Sequence, residues 1–113
     1  MTDFNAIADT AVADVQSVID ALNTQRAQAG ADTASIDAQV ATLENKQDAL
    51  RDLALHEIED DPANAAAIAA LNAASTDLTT QAKEVATAAN ALNSANQIVA
   101  AATSLLTAAA PFL

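Results

Sequence analysis

The chain has 113 residues and a formal net charge of −11, from 15 acidic and 4 basic side chains. That length holds one domain at most. The acidic balance argues against nucleic acid and against electrostatic docking on anionic lipid, since both need clustered Lys and Arg.

The absence of cysteine rules out disulfides and thiolate metal sites. Apolar residues reach 52 %, but 33 residues are alanine, only two are Phe, and Trp and Tyr are absent. A core this poor in aromatics buries little area per residue, at roughly 25 cal/mol per Å². Such a chain needs close helix–helix approach or burial against other chains. One Gly and two Pro are too few for a sheet built on hairpins, and alanine is the strongest helix former. The expected fold is therefore all-α: an antiparallel helical hairpin plus a long third helix, arranged as a three-helix bundle or coiled coil, in a single domain over 1–113.

Helix 1 is expected over about 3–29. Phe4, Ala8, Ala11, Val15, Val18, Leu22, Gln25 and Ala29 step by four and three, and Ile7, Val12 and Ile19 widen the stripe. Thr2 or Asp3 suits its start, and Gly30 suits its end, where a left-handed residue is favoured. Helix 2 is expected over about 33–58, with Asp32 and Thr33 as candidate N-caps. Ile36, Val40, Leu43, Gln47, Leu50 and Ala54 form its stripe, and Leu53, Leu55 and Ile58 thicken it. Asp61 and Pro62 then mark a new start, as N-cap and first helical residue.

Helix 3 is expected over about 62–109. Ile68, Leu71, Ser75, Leu78, Ala82, Val85, Ala89, Leu92, Asn96, Val99, Thr103 and Leu106 keep one three-four register for more than five heptads. A single helix of about 45 residues would span roughly 70 Å, against about 40 Å for each of the other two. The unbroken register favours a helix projecting beyond the hairpin. The alternative is a break near Asn93-Ser94-Ala95-Asn96 that returns the chain as a fourth helix.

Charge is unevenly spread. Residues 31–61 hold nine acids and two bases, whereas no charged side chain follows Glu84. A helix end without a charged face is expected to be covered by something. The expected interface is Val85, Ala89, Leu92, Asn96, Val99, Thr103, Leu106 and Phe112. Truncation after Ala89 is expected to abolish assembly while leaving helix content per residue nearly unchanged. Gln25, Gln47, Ser75, Asn96 and Thr103 occupy seam positions, either as buried register-setting groups or as half-exposed ones.

Several chemistries find little support. Asp52, His56 and Asp60 share a helix face at four-residue steps, a spacing that suits a divalent ion, but there is one His and an acidic helix end is ordinary. Glu57, Glu59, Asp60 and Asp61 lack the Gly and the loop length of a calcium site. One glycine cannot build a phosphate loop, and a triad would need His56 in a pocket. No metal, cofactor, small-molecule substrate or enzymatic activity is expected. Residues 98–113 are apolar but fall short of the 20 or so that span a bilayer, and they lack Trp, Tyr, Lys or Arg anchors. The N-terminus shows no basic or apolar signal region. A cytoplasmic, particle-associated or signal-independent exported protein is expected.

The expected function is that of a structural subunit in a virion, filament or secretion apparatus, whose partners are copies of itself or another helical protein. In composition alone the chain resembles the coat proteins of polyester storage granules, being Ala-rich, acidic, helical and cysteine-free. That resemblance implies an amphipathic coat on a hydrophobic particle. The remaining alternative is a small acidic inhibitor or adaptor that meets a basic partner.

Overall fold

A computed structural model describes residues 5–28, 30, 32–52, 62, 64–87 and 91–110. Those residues are all-helical, without a strand among them: α1 (Asn5–Arg26), α2 (Thr33–Arg51), α3 (Ala65–Ala86) and α4 (Ala91–Ala109). The four helices form an elongated bundle of 53 × 21 × 17 Å. Around its section the order is α1, α2, α4, α3, with α1 and α4 also meeting across the middle. The cross-helix hydrogen bonds set the directions. Gln47 of α2 reaches Val12 and Gln16 of α1, so those helices run antiparallel. The Gln25 side chain at the end of α1 meets the Leu92 backbone at the start of α4. Gln39 and Asn96, each in the early turns of its helix, pair at 2.8 Å, so α2 and α4 run parallel.

The helix ends have local causes. In α1, Ala27 N–H donates to the Thr24 carbonyl and Gln28 N–H to that of Gln25, a tightening typical of a last turn. Gly30 lies in the connection with φ +80°, the left-handed region that a Cβ disfavours. It therefore serves the turn and not the helix end, because α1 stops at Arg26. Arg26 then pairs with Asp37 at 3.2 Å to close the hairpin. At the start of α2, Asp32 Oδ1 accepts from the Ser35 backbone N–H at 3.1 Å and Oδ2 accepts from the Ser35 hydroxyl at 2.8 Å, satisfying one of the helix's orphan donors. α3 begins at Ala65, not at Pro62. Pro62 stands in the preceding turn, where its carbonyl accepts from Ala65 N–H at 3.4 Å. Asp61, Leu53, Ala54, Leu55 and Ile58 lie outside the described residues.

The third helix expected over 62–109 is not continuous. It ends at Ala86, the chain turns, and α4 packs back along α3. A 70 Å rod would also exceed the longest dimension of the molecule. α3 ends before the Asn93–Asn96 break position, and those four residues belong to α4. The stop carries neither Gly nor Pro; Thr87 N–H still donates to the Lys83 carbonyl, and its hydroxyl donates to the Lys83 and Glu84 carbonyls.

The core is aliphatic. Its largest fully buried side chains are Leu, Ile and Val, among them Leu22, Ile36, Leu43, Leu78, Ile98 and Leu105. Alanines fill the space between them. On α4, Ala91, Ala95, Ala101, Ala102 and Ala109 are buried beside Ile98 and Leu105. Small side chains let α4 approach all three other helices, which is how a chain without Trp or Tyr closes its core.

Candidate interaction surface

The expected interface residues separate once the fold is known. Val85 is buried in the core of the same molecule. Leu92, Val99 and Leu106 are half-buried and pack against that core, while Asn96 and Thr103 are exposed. Ala89 and Phe112 lie outside the described residues. The inward face of α4 is instead Ala91, Ala95, Ile98, Ala102, Leu105 and Ala109. Leu92, Asn96, Val99, Thr103 and Leu106 each stand one residue, about 100° around the helix, from the residues that face inward. The turn after Ala86 resets the phase, so the register of α3 does not carry into α4.

The polar seam divides in the same way. Gln47 is the one buried polar residue among those described, and its amide donates to the Val12 carbonyl at 3.1 Å and to Gln16 Oε1 at 3.0 Å. Gln25 is half-buried, and its Oε1 accepts from Leu92 N–H at 3.1 Å. It thereby occupies one of the unsatisfied donors at the start of α4 from a neighbouring helix. Ser75 is half-buried. Asn96 accepts from Gln39 at the surface, and the Thr103 hydroxyl donates to the Val99 carbonyl of its own helix.

Charge follows the two hairpins. Exposed acids lie along α1 (Asp9, Asp20) and α2 (Asp37, Glu44, Asp48), with Arg26 and Arg51 paired to Asp37 and Asp48. α3 carries charge only in its second half, at Asp77, Lys83 and Glu84, and α4 carries none. Because α3 and α4 run antiparallel, the charge-free first half of α3 lies beside the second half of α4. Ala66, Ala70 and Ala73 are exposed on that half of α3, and Ala100, Ser104 and Thr107 are exposed on α4. The outer side of α4 is therefore uncharged yet polar, and its inward face of Ile98, Leu105 and alanines is covered within the molecule, with Leu92, Val99 and Leu106 half-exposed at its edge.

The Asp32 carboxyl is held below its ordinary value, first by the Ser35 hydroxyl and then by the Ser35 backbone N–H, against a small opposing effect of desolvation. This is a helix cap and offers no general acid or base. Among the described residues no group of three His, Asp or Glu is placed to hold a metal. His56, Glu57, Glu59, Asp60 and Asp61 lie outside them, so of the two metal candidates only Asp52, at the end of α2, is described. No described helix is long and apolar enough to cross a membrane. No protein-family model, curated protein or solved structure matches the chain.

Proposed function

We propose that this chain is a non-enzymatic assembly subunit that associates with copies of itself, or with another helical protein, through the outer surface of its α3–α4 hairpin. The observation that supports this reading is the partition of charge between the hairpins. With a net charge of −11, copies repel wherever their α1–α2 faces meet. Contact through the charge-free end of α3–α4 keeps those faces apart and leaves the acids in water. The proposed contact differs from the stripe expected at first, because Leu92, Val99 and Leu106 already serve the molecule's own core. A virion, a filament or a secretion apparatus would each use such a subunit.

Light scattering over a range of concentrations tests the proposal. The native chain should form oligomers, and the double variant Ala70→Glu with Ser104→Glu should be monomeric with the same circular dichroism. A native chain that stays monomeric at every concentration overturns self-association. A second reading, the acidic adaptor, draws on the same partition through the exposed acids of α1–α2. It requires a monomer whose binding to a basic protein weakens with salt. Salt-insensitive binding to oil droplets would instead favour the coat-protein reading.

A further inference from the structure

We draw no further inference here: the strongest candidate, the half-exposed apolar edge of Leu92, Val99 and Leu106 where α4 borders α2, is an unpartnered face and nothing in the structure shows what covers it.

Discussion

Gln47 and Gln81 place the same side chain in opposite circumstances. The Gln47 amide nitrogen donates two hydrogen bonds, yet their acceptors would survive its loss. The Val12 carbonyl lies inside a helix, where it has a partner four residues on, and Gln16 is exposed to water. Gln47→Leu should therefore stay within about 1.5 kcal/mol of the native chain. Gln47→Ala, which empties the site, should cost about 2 kcal/mol or more in urea unfolding. Gln81 Oε1 is buried without a hydrogen-bond partner, alone in this among side-chain atoms of the described residues. Leaving such an acceptor unmade costs about 1–3 kcal/mol, so Gln81→Leu should raise the urea midpoint at unchanged m-value. Asp32 adds a pH term. Its folded pKa lies below the ordinary 3.8, so its contribution is complete above the unfolded value and is lost as pH falls through the folded one. Asp32→Asn keeps a capping oxygen that does not titrate. The stability difference between native chain and variant should change only as pH falls below about 4; a difference constant down to about pH 2 would contradict the cap.

Among the elements, α4 departs most from expectation. Two adjacent stripes on it satisfy three-four spacing. One contains Leu92, Val99 and Leu106, interrupted by Asn96 and Thr103. The other contains Ile98 and Leu105 among alanines and no polar residue. The second is buried, and its lack of polar residues was the available signal. The phase of α3 runs on through Thr87 without a Gly or Pro to mark a stop, and that continuation selects the first stripe. Leu105→Ala should accordingly cost about 2–5 kcal/mol, whereas Thr103→Ala, at an exposed position, should cost under about 0.5 kcal/mol; equal effects would mean the inward face is misassigned. Gln25→Ala should speed hydrogen exchange at the Leu92 amide more than at amides in the middle of α4, because only the first turn loses its tertiary cap. α1 and α2 were read more closely. Ile36, Leu43, Gln47 and Leu50 are buried on α2, and Val15, Val18 and Leu22 on α1, because Gly30 and the Asp32 cap mark the break between them and each stripe starts its own phase.

For the whole molecule, α4 is a wall of the core and not an arm. Truncation after Ala89 was expected to spare helix content. With α4 packed on α1, α2 and α3, the cut would instead expose the faces it covers, and circular dichroism should show helix content per residue falling. Retained helicity would mean that the first three helices close a core without α4. Association is therefore better tested by the exposed Ala70 and Ser104, whose substitution leaves the interior intact.

Composition alone determined that this chain is helical: 33 alanines, one glycine and two prolines leave no other regular structure with comparable propensity. Charge along the chain also distinguished a wet first half from an uncharged end. Only the tertiary structure decided where that end turns back and which side of it faces inward. Alanine is small enough for either side of a helix, so periodicity leaves two stripes nearly equal. The choice between them is made by the space that α1, α2 and α3 leave for α4, and the sequence of α4 does not contain that space.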